Sequence, residues 1–366
     1  MSLAPQTLAG RKAAILVGDN FQIHEAYYPF YRLREAGVAV SFVGEEEGRI
    51  YHDYGGEPLK SDVSIHTALT QEFDCVYCPG GFAPMKLRAN PNMLKFARAH
   101  FESGRLFAAI CHAASFLVAM DVLRGRRATC YHTLKDDLIN AGAEYLDAAP
   151  VVDRNLITAR TPQDLPDFME AIIRYLEVGS DAVAVEKSVA RLRGVTAGIL
   201  LDKRYHAVQV WTLFFRLKAA GANLVFIGDE AGAEYLSRVS RLPARSDCSA
   251  DEALQRDFEV LVVPGDWAAD KMRVNSSFLS LVQRQLQAER LLVSLAEGIS
   301  VLISARVLSG HKVAYLPEMI RDVENCKAKP VSEPLCLDGT LITARSTDDL
   351  PQVMRSIVGY FEQTDP

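Results

Sequence analysis

Cys111 and His112 follow directly on the apolar run LFAAI (106–110) and open a stretch, AASFLVAM, with helical spacing. A cysteine at a strand-to-helix turn is held at a sharp bend above a sheet, the placement of a nucleophile elbow. The first amides of the helix would lower the thiol pKa and favour thiolate. A small buried apolar cysteine is the plain alternative; the strand before Cys111 and the histidine after it favour the reactive reading. Gly80 and Gly81 end another strand-like run, FDCVYCPGG (73–81). They are candidates to turn backbone N–H groups toward an oxyanion at Cys111, although a double glycine equally marks a turn. Glu25 opens the helical stretch EAYYPFYRLREAG (25–37). A buried carboxyl beside a thiol is protonated, donates to the thiolate and shuttles a proton; the alternative is a helix N-terminal carboxylate placed by the dipole. His132 follows a strand near the same place and is a candidate for substrate binding or proton transfer, the alternative being a loop histidine without a role.

The scaffold that carries these residues occurs twice. EAYYPFYRLREAG returns as QVWTLFFRLKAAG (209–221), FDCVYCPGG as FEVLVVPGD (258–266), and LITAR (156–160) as LITAR (341–345). The offset is 184 positions (25 to 209) or 185 (111 to 296). In this register Glu25 faces Gln209, Gly81 faces Asp266, Cys111 faces Ala296 and His112 faces Glu297. One half keeps a reaction centre and the other has replaced it. Lys86 and Arg88 recur as Lys271 and Arg273, which points to structure or an interface rather than chemistry.

Each half alternates short apolar strands with amphipathic helices. That pattern predicts an α/β fold, a mostly parallel doubly wound sheet with helices on both faces. Two domains are expected, at 10–178 and 193–364, with 178–192 as a linker that is not rich in Gly or Ser. Ligands of such sheets bind outside the carboxyl ends of the strands, where Glu25, Gly81 and Cys111 all fall.

Composition narrows the classes. A net charge of −6 gives no broad basic field, so nucleic acid is not an expected partner. No apolar run approaches the roughly 20 residues of a membrane span, and the start of the chain lacks a signal pattern, so a cytoplasmic protein is expected. Seven cysteines, an odd number, suggest no disulfide framework. Cys75 and Cys78 form a C-x-x-C, but in a strand pattern they face opposite sides, and Val260 and Val263 stand there in the second half. They read as structural, and no metal site is expected.

Glu25 four residues before Pro29, PGG (79–81), AAICHAA (108–114), LRGRRAT (123–129) and KDDLINAGAEYLD (135–147) together resemble the DJ-1/PfpI superfamily, most closely its PfpI-like branch. The resemblance covers the first half and, more faintly, the second. It implies two tandem flavodoxin-like domains, of the class I glutamine amidotransferase-like kind, with a nucleophile at Cys111, an acid at Glu25 and an oxyanion hole near Gly81. Tandem members include plant glutathione-independent glyoxalases; others are peptidases, deglycases, isonitrile hydratases, chaperones and stress sensors. PfpI-type peptidases orient the histidine with a Glu from a neighbouring subunit, just after the PGG-x-A-P stretch. Met85 stands there in the first half and Asp270 in the second. If the halves pair as subunits do, in an intrachain pseudo-dimer, Asp270 is a cross-domain acid for His112; otherwise it is a surface carboxylate beside Lys271.

The leading expectation is a cofactor-free, Cys111-dependent enzyme on a small-molecule carbonyl substrate, glyoxalase- or deglycase-like. Gly81 and His112 amides would hold the oxyanion, and Glu25 or His112 would move the proton. The alternatives are a PfpI-like amidase, peptidase or hydratase, and a redox-sensing or chaperone-like stress protein in which Glu25 stabilises oxidised Cys111. The substrate, and whether the pseudo-dimer forms a further homo-oligomer, are not fixed by these residues.

Overall fold

A computed structural model describes residues 6–179 and 190–364. The linker expected at 178–192 therefore lies, over 180–189, outside the described residues. The chain divides into two compact units, one within Pro5–Ser188 and one within Val189–Pro366.

In the first unit the elements run β1 (Lys12–Leu16), α1 (Ile23–Glu35), β2 (Ala39–Gly44), β3 (Ile50–His52), β4 (Pro58–Lys60), β5 (Val63–Ser64), α2 (Ile65–Ala68), β6 (Cys75–Cys78), α3 (Ala83–Leu87), α4 (Pro91–Glu102) and β7 (Leu106–Ile110). They continue with a 3-10 turn (Cys111–Ala113), α5 (Ala114–Met120), β8 (Arg127–Ala128), α6 (Lys135–Asn140), β9 (Glu144–Tyr145), β10 (Val151–Asp153), β11 (Leu156–Ala159) and α7 (Leu165–Val178). The main sheet has the order β10-β11-β7-β6-β1-β2-β5. Every pairing in it is parallel except β10 with β11. The chain winds outward from β1 through β2 to β5, then returns to β6 on the other side of β1. That reversal opens a crevice at the carboxyl ends of β1 and β6.

The apolar runs are continuous because both sheet faces are covered. Cys75–Cys78 and Leu106–Ile110 are buried throughout. Along β7, Phe107 and Ala109 join Cys78, Phe116 and Leu117 in one core cluster, with Phe107 stacked on Phe116 at 6.4 Å. Cys75, three residues before Cys78, falls on the opposite face.

Helix α1 is built to hold its first turn. The Gln22 side chain caps it, accepting from the N–H groups of His24 (2.6 Å) and Glu25 (3.1 Å). Pro29 sits inside the helix and has no N–H for the Glu25 carbonyl four residues back. The buried Tyr77 hydroxyl on β6 donates to that carbonyl instead, at 2.7 Å. The proline thus frees a carbonyl, and the sheet uses it to fix α1 at Glu25. In the second half Leu213 and Val262 stand at these two positions, so the proline and the tyrosine are absent together.

The second unit repeats the order, with strands Cys248–Ser249, Asn223–Gly228, Thr196–Leu200, Val260–Val263, Leu291–Leu295, Leu341–Ala344 and Leu335–Asp338 side by side. No helix among the described residues is long and apolar enough to cross a membrane.

Tyr77→Phe should lower the unfolding free energy by about 1–3 kcal/mol, because it strands a buried carbonyl. Urea denaturation measures this; an unchanged midpoint would show that the carbonyl has another partner.

Candidate active site

Cys111 follows β7 with φ 61°, a left-handed conformation that is uncommon for a side-chain-bearing residue. This breaks helical geometry at the elbow. The residues after β7 therefore make a 3-10 turn first, and α5 begins only at Ala114. The sulfur lies 3.3 Å from His112 Nδ1, and the backbone N–H groups of Gly81 and His112 face it as hydrogen-bond donors.

Gly80 and Gly81 divide the work that sequence assigned to them jointly. The Gly80 N–H donates to Glu25 Oε2 at 2.8 Å, so it is not directed at an oxyanion. Gly80 is needed for proximity: a Cβ there would lie 2.5 Å from Glu25 Oε2 and 2.7 Å from Cys111 Cβ. Gly81 has φ 76°, and a Cβ on it would come within 2.5 Å of the Asn20 carbonyl oxygen. Its own amide is the one that faces the sulfur.

Glu25 is fully buried. Oε1 has no partner among nitrogen and oxygen donors, and the carboxyl is within hydrogen-bonding reach of the Cys111 thiol. Burial raises its pKa to about 8, opposed by the Gly80 amide and by Cys111. The resting carboxyl is protonated at neutral pH. The expectation of a depressed Cys111 pKa is corrected: burial first, and the Glu25 charge second, push the thiol up against the His112 and Gly81 amides. A 3-10 turn with two amide donors does not outweigh desolvation at a buried sulfur. The pair therefore rests neutral, and the thiol needs a base. His112 can act as one, since burial, with His132 nearby, lowers its pKa and keeps the imidazole neutral.

His132 begins the 3-10 turn before α6, and its ring lies 4.3 Å from that of Tyr131. His24 is partly buried, and burial lowers its pKa to about 3. Asp270 is in the first turn of the second unit's helix Trp267–Met272. No cluster of metal-ligating side chains occurs among the described residues.

Three rings were not singled out from sequence. Tyr131 stacks on His112 at 4.8 Å, and Phe82 at 5.7 Å. Tyr54, on the β3–β4 hairpin, meets the Phe82 ring edge-on at 5.7 Å. The duplication held a signal for two of them: Tyr131 becomes Leu316 and Tyr54 becomes Arg238, whereas Phe82 becomes another aromatic, Trp267.

The second unit keeps the frame and changes its chemistry. Ala296 has φ 47°, so the elbow persists without a thiol. Gln209 Oε1 accepts from the Gly265 N–H at 2.8 Å, as Glu25 does from Gly80. Glu297 Oε2 accepts from the Asp266 amide at 2.8 Å, and Arg238 Nε meets Asp266 Oδ2 at 2.9 Å. A carboxylate oxygen now occupies the amide that in the first unit faces sulfur.

A flavodoxin-like sheet with a strained cysteine between β7 and α5 and a buried glutamic acid beside it defines a cysteine-elbow α/β protein. The pattern of the DJ-1/PfpI family matches residues 11–175 and again 195–359, and the chain belongs to that family. It is similar to a deglycase of Pyrococcus horikoshii, 38% identical over 166 residues, which are 45% of this chain and 99% of that protein. It is also similar to a candidate cysteine protease of Bacillus subtilis, 38% identical over 167 residues, 46% of this chain and 99% of that one. Along nearly its whole length it resembles Protein DJ-1 homolog D of Arabidopsis thaliana, 24% identical over 389 residues, 95% of this chain and 97% of that one.

Glu25→Gln keeps an acceptor for Gly80 and removes the titration. A buried acid whose folded pKa is raised to about 8 contributes stability below its unfolded pKa near 4.5, and that stability is lost as pH rises through about 8. The variant should therefore match wild type in thermal unfolding near pH 4. It should exceed wild type near pH 9, by up to the order of 5 kcal/mol. Parallel curves at both pH values would refute a neutral Glu25.

Proposed function

We propose that the first unit is a cysteine-dependent, cofactor-free enzyme for small reactive carbonyls, with glyoxalase- or deglycase-type chemistry. The observation that carries this reading is the proton inventory at the sulfur: a neutral acid, Glu25, and a neutral base, His112, flank one thiol. A carbonyl addition needs both at once, the base to take the thiol proton and the acid to protonate the oxygen.

With methylglyoxal as the example, His112 Nδ1 takes the thiol proton and sulfur bonds to the aldehyde carbon. The Gly81 and His112 amides hold the developing oxyanion, and Glu25 protonates it, giving a hemithioacetal. Glu25, now a carboxylate, removes the proton from that carbon, and the electron pair forms an enediol while His112 protonates the neighbouring oxygen. Return of the Glu25 proton to the second carbon, with loss of the first hydroxyl proton to His112, leaves a thioester. Water cleaves it to lactic acid, giving one proton to Glu25 while His112 returns its proton to sulfur, so acid, base and thiol all regain their resting state. The balance is methylglyoxal plus water to lactic acid. His132, at the rim, is the candidate to meet the substrate's outer oxygen. The deglycase names of relatives support the same class of electrophile. The second unit then serves as the built-in degenerate partner of the first.

Hydrolysis by the same Cys111–His112 pair is the second reading, favoured by their 3.3 Å contact. It calls for a carboxylate that orients the imidazole, and within the described residues of the first unit the rings contact His112 and no carboxylate does. Asp270→Asn separates the two readings: carbonyl turnover should be unchanged, and a loss of tenfold or more, on the order expected for an orienting acid, would favour the hydrolase.

Methylglyoxal and glyoxal turnover without glutathione tests the main reading. Wild type should form lactate and glycolate, and Cys111→Ser should lose at least about 10³-fold while unfolding at the same temperature. Retained turnover in Cys111→Ser would remove the nucleophile assignment.

A further inference from the structure

Among the described residues of its own unit no carboxylate holds the base at the sulfur, yet its Nδ1 is aimed at Cys111. Two rings lie against it instead. Phe82 and Tyr131 each lie within 27° of parallel to the imidazole, and they flank it without pairing with each other. Both are anchored through the backbone. The Phe82 N–H donates to the Asn20 carbonyl at 2.9 Å, and the Tyr131 N–H donates to the carbonyl of Cys111 itself at 3.3 Å. Tyr54 backs Phe82 from the hairpin side, where the Asp53 carboxylate accepts from the N–H groups of Gly55 (2.8 Å) and Glu57 (2.7 Å) and tightens the loop.

We propose that Phe82 and Tyr131 are positioning residues, an aromatic clamp that orients the His112 imidazole toward the Cys111 thiol in the role a triad gives to a carboxylate. The ring and not the hydroxyl of Tyr131 is the working part. The duplicated half is an independent control. Where Glu297 replaces the imidazole, Leu316 replaces Tyr131. Phe82 is replaced by Trp267, whose ring carries the Arg204 guanidinium at 4.1 Å. The two-sided stack occurs in the half that has a base to hold.

The rings cover part of the imidazole, although Phe82 itself stays 55% exposed, and burial is the first cause of the lowered His112 pKa. The titratable groups facing His112 are Cys111 at 3.3 Å, Tyr131 at 4.8 Å and His132; Tyr54 meets Phe82, and Glu25 reaches Cys111 rather than the imidazole. Helix α3, packed on the same turn, carries Lys86, which is exposed. Opening the clamp admits water and favours imidazolium, so the pH at which the base becomes neutral rises.

This inference rests on His112 acting as the base but needs no knowledge of the substrate, so its test uses iodoacetamide. Alkylation of Cys111 in the full chain is followed by peptide mass from pH 4 to 9 in wild type, Phe82→Leu, Tyr131→Leu, Tyr131→Phe and His112→Gln. Phe82→Leu and Tyr131→Leu should each slow the plateau rate on the order of tenfold and move the acid limb to higher pH, while Tyr131→Phe follows wild type. An acid limb that stays in place in both Leu variants overturns the clamp. Tyr131→Phe behaving like Tyr131→Leu overturns it in favour of the hydroxyl. A limb that persists in His112→Gln removes the base, and the clamp with it. A lack of methylglyoxal turnover with these profiles intact would count against the carbonyl reading alone.

Discussion

The hydrogen bond from the Gly80 amide to a fully buried Glu25 carboxyl is the constraint around which the first unit is arranged. A carboxyl without water must either find charge or keep its proton. Here it meets one backbone amide and one thiol, so it keeps the proton. Several features follow from holding it there. Gln22 caps its N–H, Tyr77 takes the carbonyl that Pro29 leaves free, and glycine at 80 lets the carboxyl and the Cys111 side chain approach one another. Burial that costs stability at high pH fits the acid role proposed for Glu25, a trade between stability and function.

The second unit shows what the same backbone does when that constraint is lifted. Gln209 makes the Gly265 hydrogen bond with an uncharged amide, and its Nε2 donates to Thr347 Oγ1 at 3.0 Å, so the position is satisfied without titration. The elbow keeps its left-handed residue at Ala296, a costly conformation with no thiol to present. The Asp266 amide, equivalent to the one facing sulfur in the first unit, holds the Glu297 carboxylate. A negative group at that amide is thus seen directly in one copy, which agrees with an anion-stabilising role for Gly81 in the other.

Much of this was legible in the sequence because the duplication separates scaffold from chemistry. Buried strands such as LFAAI and helices with 3.6-residue spacing recur in both halves, so the fold was readable, and the positions that differ included Glu25, Gly81, Cys111 and His112. What escaped was set by tertiary direction. Nothing in PGG says that the Gly80 amide turns to Glu25 while the Gly81 amide turns to sulfur. The depressed thiol pKa expected from helix amides failed because Cys111 interrupts the helix and burial dominates. Phe82 and Tyr131 come from separate loops, with Tyr54 behind Phe82 from a third, and their meeting at one imidazole has no local spacing to betray it.

The protonation state of Glu25 decides between this account and an ionised, purely structural carboxylate. Infrared difference spectra of wild type against Glu25→Gln, recorded from pH 5 to 10, report it through the carbonyl stretch of a protonated carboxylic acid. The account predicts that the band is present at neutral pH and is lost with a midpoint near 8. A carboxylate already ionised at pH 6 would contradict it and leave the thiol without its acid.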